Sequence, residues 1–279
     1  MVQQNGPWQS VTSSSQIWYV SYPDGKAHRI TNDLNDYLGV SLTADSGALV
    51  TVLNELVSNI WIASNDNARR ASQITYTKFD GAGGLSWTPD GKIVYVSGAN
   101  GKVDLWIMEA NGTGQKQLTA DAGNTRVPSV SPDGRYVVFM SDRAGTSHIW
   151  RIDIGGSNAR QLTNGDGGWS PDCAPDGRWV FYLLRSGGLE KVPIDGGDTV
   201  QVLDKASRGV GVSPDGKWIA SGLSATKSAI YPVEGGEPYK ILDIPSFYAS
   251  WDARRTRPGL RGQKKWFNHQ CADNRWWKD

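Results

Sequence analysis

The residues of this chain that could carry out catalysis or hold a metal ion are few and widely scattered. The three histidines, His28, His148 and His269, share no spacing typical of a metal site, and Cys173 and Cys271 form no C-x-x-C pair. His148 falls within a strand-like segment, where we interpret it as a structural residue and not as a ligand. The sequence therefore predicts no catalytic residue, no cofactor and no metal.

Two further patterns could suggest chemistry. Residues 211–215, Gly-Val-Ser-Pro-Asp, partly match the G-x-S-x-G nucleophile elbow, but Asp215 stands where the last glycine should be and the context is a hairpin. Four aspartates recur at one position of a repeated turn, a pattern that could suggest calcium: Asp90, Asp133, Asp176 and Asp215. Each stands alone, without the further oxygen ligands that calcium requires. We predict instead that they accept backbone N–H bonds inside their turns.

Composition narrows the class of protein. The 279 residues carry 29 Lys and Arg against 28 Asp and Glu, so no overall basic charge favours nucleic acid as a partner. No stretch is long and apolar enough to span a membrane, and we expect no signal peptide in residues 1–15, a polar N-terminal segment. The 33 glycines and 13 tryptophans indicate many tight turns between aromatic strands.

The elements that carry these residues form an internal repeat. One turn occurs four times: Pro89-Asp90-Gly91, Pro132-Asp133-Gly134, Pro175-Asp176-Gly177 and Pro214-Asp215-Gly216. A weaker copy is Thr43-Ala44-Asp45-Ser46-Gly47, and the five turn aspartates are 45, 43, 43 and 39 residues apart. Proline presets φ at the first turn position and glycine accepts a positive φ, so each copy predicts a hairpin between two strands.

Two other elements keep the same period. A pair of an aliphatic residue and tryptophan recurs as Ile17-Trp18, Ile60-Trp61, Leu105-Trp106 and Ile149-Trp150. A closing strand recurs as Ile30-Thr31, Ile74-Thr75, Leu118-Thr119 and Leu162-Thr163. We predict that Trp18, Trp61, Trp106 and Trp150 pack one repeat against the next, in preference to forming a carbohydrate-binding platform.

Each repeat reads as four antiparallel strands in about 40 residues, which is one blade of a β-propeller. Five whole units are predicted: Asn35–Thr75, Gly83–Thr119, Arg126–Thr163, Gly168–Leu203 and Arg208–Leu242. A half unit, Gln16–Thr31, precedes them, and we expect strands after Ile244 to complete it as a sixth blade. The predicted fold is all-β, with almost no helix, and the propeller covers residues 16–251.

Residues 252–279 depart from the repeat. From Trp251 to Asp279 the chain contains eight Lys and Arg against three Asp. A solvated basic tail and a nucleic-acid- or membrane-binding arm with interleaved tryptophans are two interpretations. We favour a third, a frameshift, because removing one base after the Trp251 codon permits a Trp-Thr-Pro-Asp-Gly turn in phase with the repeat.

The turn, Ile-Trp and Leu-Thr elements together resemble the WD40-like Pro-Asp repeats of TolB-type β-propellers. Residues 16–23 (Gln-Ile-Trp-Tyr-Val-Ser-Tyr-Pro) and 29–37 more narrowly resemble propellers attached to bacterial eukaryote-like serine/threonine protein kinases. That resemblance implies a cytoplasmic kinase, one membrane helix and an extracytoplasmic propeller in the parent protein. The chain carries no kinase motif, so we expect a fragment of such a protein and carry over no kinase activity.

The predicted function is non-catalytic recognition of a protein, peptide or small ligand by a propeller, with no nucleic acid as partner. Coupled to a kinase, the propeller would act as a sensor. Two alternatives stay open: the propeller of a prolyl-oligopeptidase-like serine peptidase, and a periplasmic adaptor of the Tol–Pal type. The resemblance implies an extracytoplasmic or periplasmic location.

Overall fold

The computed structural model describes residues 15–33, 35–55, 57–64, 67–98, 102–206, 208–224, 226–244 and 251. These residues form 22 β-strands and no helix, and every strand pairing is antiparallel. The all-β prediction is confirmed.

Three small sheets of two strands each come first in the chain. They are β1 (Trp18–Val20) with β2 (Ala27–Arg29), β3 (Asp36–Leu42) with β4 (Leu49–Asn54), and β5 (Trp61–Ser64) with β6 (Asn67–Gln73).

Four sheets of four strands each follow, and we call them blades I to IV. Blade I contains β7 (Asp80–Trp87), β8 (Lys92–Ser97), β9 (Asp104–Glu109) and β10 (Lys116–Gln117). Blade II contains β11 (Arg126–Val130), β12 (Tyr136–Ser141), β13 (His148–Asp153) and β14 (Arg160–Gln161). Blade III contains β15 (Trp169–Cys173), β16 (Trp179–Leu183), β17 (Leu189–Pro193) and β18 (Val200–Leu203). Blade IV contains β19 (Arg208–Val212), β20 (Trp218–Gly222), β21 (Ser228–Pro232) and β22 (Lys240–Leu242).

The blades stack face to face around their first strands. β7 contacts β11, β11 contacts β15, and β15 contacts β19, so the first strand of each blade lies toward a common centre. The second strands, such as β12, are almost wholly apolar because both of their faces are buried between neighbouring sheets. The core accordingly runs between blades: Leu105 of blade I shares a cluster with Phe139 of blade II, and Phe181 of blade III shares one with Ile219 of blade IV. This arrangement confirms the propeller.

The predicted whole unit Asn35–Thr75 does not form one four-stranded sheet. β4 pairs with β3 and β5 pairs with β6, but no pairing joins β4 to β5. The hairpin β3–β4 keeps aliphatic side chains exposed, with Val50 66% and Val52 57% accessible. The physical reason is a missing neighbour: a blade's inner strands are buried from both sides, and the preceding half unit contributes only the hairpin β1–β2. The six-blade count stays a prediction.

Candidate functional site

A row of hydrogen bonds ties the inner strands of successive blades together. The Ser86 hydroxyl of blade I accepts a bond from the Val130 N–H of blade II at 3.1 Å. The Ser129 hydroxyl of blade II accepts one from the Cys173 N–H of blade III, also at 3.1 Å. Each serine lies four residues before the aspartate of the turn in its own blade. Side chains at the same repeat position therefore form the hydrogen bonds between successive blades. These half-buried groups make the centre of the propeller polar.

Asp172 occupies the same position in blade III and reaches both neighbouring blades. Its carboxylate accepts a bond from the Ser129 hydroxyl of blade II at 2.9 Å and one from the Val212 N–H of blade IV at 2.8 Å. Burial raises the pKa of Asp172 to about 6, although both of these bonds favour the ionised form. Among the described residues, no ion pair includes this carboxylate.

Asp172 is not among the residues predicted from the sequence, because it lies outside the Pro-Asp-Gly turn. A signal was nevertheless present in the sequence. The residues four places before the turn aspartates are Ser86, Ser129, Asp172 and Gly211. One ionisable residue in a row of small neutral ones marks the position at which this chain departs from its own repeat.

In blade IV, the row of hydrogen bonds between inner strands ends with a backbone acceptor in place of a side chain. Gly211 has no side chain to accept the next bond, and the Trp251 indole N–H donates to its carbonyl oxygen at 2.9 Å. Trp251, the first residue of the tail-bearing segment, therefore lies against the inner strand β19. The predicted closing strands and the basic tail, residues 252–279, lie outside the described residues.

The four Pro-Asp-Gly turns all connect the first and second strands of their blades, at one end of the propeller. Asp133 accepts bonds from the Ser131 hydroxyl at 2.6 Å and the Arg135 N–H at 3.1 Å, and Asp215 makes the equivalent bonds. The Ser131 bond holds the pKa of Asp133 below its ordinary value. The turn glycines have φ between +69° and +84°: Gly91, Gly134, Gly177 and Gly216.

The four repeat tryptophans take two different environments. Trp106 packs on a cluster shared by the β5–β6 hairpin and blade I, and Trp150 packs on the cluster between blades I and II. Trp18 and Trp61 are instead 55% and 59% exposed. Among the described residues, no neighbouring sheet covers these two side chains, and their packing between blades stays a prediction.

The other two candidate groups, His148 and Cys173, are both buried. His148 lies at the start of β13, with Thr146 at 2.9 Å from Nε2, and burial lowers its pKa. Cys173 is buried beside Ser129, and burial raises the pKa of its thiol. In the part of the chain that the structure describes, no group of three or more His, Cys, Asp and Glu side chains could hold a metal ion.

The two ends of the propeller differ in shape. At the end with the Pro-Asp-Gly turns, a cavity of 470 Å³ between blades I and II is lined by residues that include Lys92, Met108 and Glu109. At the opposite end, a cavity of 530 Å³ between blades II and III is lined by loop residues that include Asp166 and Arg185. The second end carries the connections from one blade to the next, such as residues 118–125 and 162–168. Loops on a rigid scaffold are where binding residues concentrate.

Comparisons with known proteins agree with this geometry. The family described as TolB beta propeller domain matches residues 77–233 of the chain. An uncharacterized protein of Agrobacterium fabrum is 32% identical over 120 residues, which are 42% of this chain and 41% of the relative. The Tol-Pal system protein TolB of Francisella tularensis is 26% identical over 194 residues, which are 66% of this chain and 44% of the relative.

One solved structure supports the fold. The crystal structure of TolB from Acinetobacter baumannii superposes with a TM-score of 0.55 at 21% identity, over 79% of this chain and 60% of that one. The chain spans less than half the length of the two curated relatives. None of the described segments forms a helix that could traverse a lipid bilayer.

Proposed function

The chain belongs to the TolB beta propeller domain family, and we therefore propose that it is a non-catalytic recognition module that binds a protein or peptide. The observation that carries this proposal is the convergence of the inner strands on a polar centre, where Ser86, Ser129 and Asp172 supply side-chain donors and acceptors. A propeller of rigid blades with connecting loops at its two ends is a scaffold on which binding sites are built.

We place the binding face at the end that carries the connections between blades. The 530 Å³ cavity there is lined by Arg185 and Asp166 together with Thr146. A peptide laid across blades II and III would find both charge signs within this cavity. We assign a structural role to the end with the Pro-Asp-Gly turns, because the turn aspartates there already accept hydrogen bonds from groups of their own turns.

Two settings for the module follow from resemblance. The likeness of residues 16–37 to kinase-attached propellers supports a sensor region of a bacterial membrane-anchored serine/threonine kinase. The similarity to a Tol-Pal system protein supports an adaptor of that system. Both settings place the propeller on the extracytoplasmic side. The DNA sequence upstream of Met1 discriminates them, because a kinase domain and a membrane helix must precede the propeller in the first setting.

The binding test uses the purified chain and soluble Pal. Pal is the second component in the name of the Francisella tularensis relative, the Tol-Pal system protein TolB. Isothermal titration calorimetry is expected to show saturable binding with Kd in the micromolar range, about −8 kcal/mol. Arg185→Glu in the loop-end cavity should weaken binding at least tenfold. The matched control, Arg178→Glu at the turn end, should change Kd less than twofold; both arginines are exposed.

The outcomes separate the possibilities. Equal effects of the two substitutions would overturn the placement of the binding face. Absence of binding by Pal, together with a kinase domain upstream, would favour the sensor setting. Turnover of peptide, ester or ATP substrates by the purified chain would overturn the non-catalytic proposal.

A further inference from the structure

The cleft between blades I and II differs from the later clefts in the side chains that face it. Arg151 on β13 and Lys191 on β17 occupy the same position of their repeats, and Ile107 on β9 is the corresponding residue of blade I. Two blades therefore carry a long cationic side chain at a position where blade I carries a shorter aliphatic one.

In the cleft between blades II and III, a cation and an aromatic ring pack together. The Arg151 guanidinium carbon lies 4.2 Å from the centre of the Tyr136 ring, and Nη1 donates to the Ile194 carbonyl of blade III at 3.0 Å. Only 12% of the Arg151 side chain is exposed. The equivalent pair of blade III is Lys191 and Trp179, with Nζ 5.1 Å from the ring centre. Each of these two blades therefore supplies its own cation–π pair.

Blade I has other residues at both positions of this pair. Lys92 at the start of β8 corresponds to Tyr136 and Trp179, since the carbonyl oxygen of each of the three accepts the backbone N–H bond that closes its turn. An ammonium thus replaces the aromatic ring, and Ile107 replaces the cation. Among the described residues that line the 470 Å³ cavity between blades I and II, none is aromatic.

This cavity combines apolar walls with a charged rim. Ile107 and Ile154 line it, and both are partly buried against the apolar cluster that blades I and II share. Lys92 Nζ lies 3.6 Å from the Asp90 carboxylate and 3.5 Å from the Glu109 carboxylate, and 39% of the Lys92 side chain is exposed. Apolar walls with a few polar groups are typical of ligand pockets, and the volume lies within their range.

We propose that this cavity is a docking site for one aromatic side chain, Trp, Tyr or Phe, presented by a peptide or loop of a partner protein. The ring packs on Ile107 and Ile154 and against the Lys92 ammonium. It restores between blades I and II the cation–aromatic pair that the next two blades supply themselves. Aromatic anchors in pockets with a polar rim dominate the binding energy of many protein–protein interfaces.

The site goes beyond the proposed function, because it lies at the opposite end of the propeller from the 530 Å³ cavity. The Pro-Asp-Gly turns keep their structural role, since an aromatic ring in the cleft needs no hydrogen-bond acceptor from the turn aspartates.

The binding test titrates the full chain with N-acetyl-tryptophanamide and, in parallel, with N-acetyl-leucinamide. Methyl NMR of the chain labelled at isoleucine should show saturable shifts with a Kd of roughly 1 mM for the aromatic amide. The leucine amide should bind about fivefold more weakly, since it offers no ring to the Lys92 ammonium. Equal affinities would overturn the assignment to an aromatic side chain, and shifts that do not saturate would overturn the site.

Two substitutions and a matched control locate the site. Ile107→Arg gives blade I the residue type of blade II and should weaken binding at least about tenfold, because the arginine stem takes the space of the ring. The control is Ile230→Arg at the same repeat position of blade IV, which should change Kd less than about twofold. Lys92→Met keeps the stem without the charge, so the aromatic amide should bind about threefold more weakly and the leucine amide unchanged. Equal losses of affinity in the two arginine variants would contradict the placement.

A second measurement does not depend on the variants folding. A diazirine analogue of N-acetyl-phenylalaninamide, irradiated with the unsubstituted chain, should label β9 or the turn that contains Ile154, as located by peptide mass spectrometry. Excess N-acetyl-tryptophanamide should suppress this label. Labelling absent from both segments, for example confined to the exposed hairpin β3–β4, would overturn the proposal. Neither measurement depends on whether Pal binds, so failure of the proposed function and failure of this site are distinguishable.

Discussion

The backbone N–H of Ile149 donates a hydrogen bond to the hydroxyl of Thr163 at 3.0 Å, joining the third and fourth strands of blade II. The same bond recurs in three other units: Ile17 to Thr31 at 2.9 Å, Ile60 to Thr75 at 2.8 Å, and Leu105 to Thr119 at 3.0 Å. The Ile-Trp and Leu-Thr elements keep a common period because they are the two halves of this contact.

Replacing the threonine should therefore destabilise a blade out of proportion to the change in size. Thr163→Val keeps the shape but leaves the buried Ile149 N–H without its acceptor, and we expect a loss of about 1–3 kcal/mol in the free energy of unfolding. Thr163→Ser keeps the hydroxyl and should lose less. Urea denaturation measures both, and a valine variant as stable as the serine variant would contradict the role of this bond.

Blade III lacks a contact that the other turns contain. Ser131 and Ser213 each donate to the turn aspartate and accept from the backbone N–H five residues on, at 2.9 Å, but blade III has Ala174 in this position. Ala174→Ser should add both bonds and stabilise the chain by about 0.5–1 kcal/mol. The reverse substitution, Ser213→Ala, should destabilise blade IV by a similar or larger amount. Thermal unfolding of the pair checks the prediction, which is contradicted if both variants lose stability.

In three blades, a glycine in the turn before the last strand allows close contact with the preceding unit. A Cβ placed on Gly112, Gly156 or Gly235 would lie 2.2, 2.7 or 2.1 Å from a carbonyl oxygen of the preceding unit. Gly156 has φ +94°, whereas Gly145 has φ +98° and open space around it. The two glycines therefore share the backbone strain and differ in the contact alone.

Alanine substitution at these two positions separates strain from contact. Gly145→Ala should show only the penalty of a positive φ, about 1–2 kcal/mol. Gly156→Ala should lose a further ~1–3 kcal/mol, since its methyl group must displace the Leu118 carbonyl. Chemical denaturation of the two variants gives the difference directly. Equal losses of unfolding free energy in the two variants would show that the contact between residue 156 and the Leu118 carbonyl adds nothing to the cost of the substitution.

The exposed hairpin β3–β4 carries the residues that are buried in its sister blades. Val50 is 66% exposed, whereas the equivalent Val94 and Val138 are fully buried. Equivalent positions are counted from a backbone hydrogen bond that closes each turn. Thr43 N–H donates to Ala48 O in this hairpin, and Ser131 N–H donates to Tyr136 O in blade II. In the sister blades the pairs Tyr95–Trp106 and Phe139–Trp150 face each other. Thr51 and Trp61 are the corresponding pair.

β4 and β5 are unpaired in the structure, and pairing in this register would bury the aliphatic side chains of the hairpin, so we expect a disulfide across the two strands to draw them together. Thr51→Cys with Trp61→Cys, on a background in which the native cysteines are serine, should form a disulfide under mild oxidation. Thr51→Cys with Ile62→Cys is the control, since the next residue faces the other side of the strand. Non-reducing mass spectrometry distinguishes them, and equal or absent cross-linking of the two pairs would contradict the closure.

The local parts of the fold could be predicted because their causes lie within a few residues. Pro132 and Gly134 bring their own φ preferences to the turn, and the apolar run after Tyr136 can be stable only between two covering sheets. The position of Asp172 in the repeat was readable as well. Its two bonds were not, because Ser129 and Val212 belong to other blades and meet it only at the angle at which the sheets pack.

Sequence alone determined that this chain is a series of repeated antiparallel β units with Pro-Asp-Gly turns, since period, turn chemistry and strand patterning are all short-range properties. Tertiary structure decided which of these units become blades. Trp150 and Trp61 occupy equivalent repeat positions, yet one is packed and the other exposed, because burial depends on the sheet that lies alongside. The presence of that neighbouring sheet is a property of the assembled wheel and not of any one repeat.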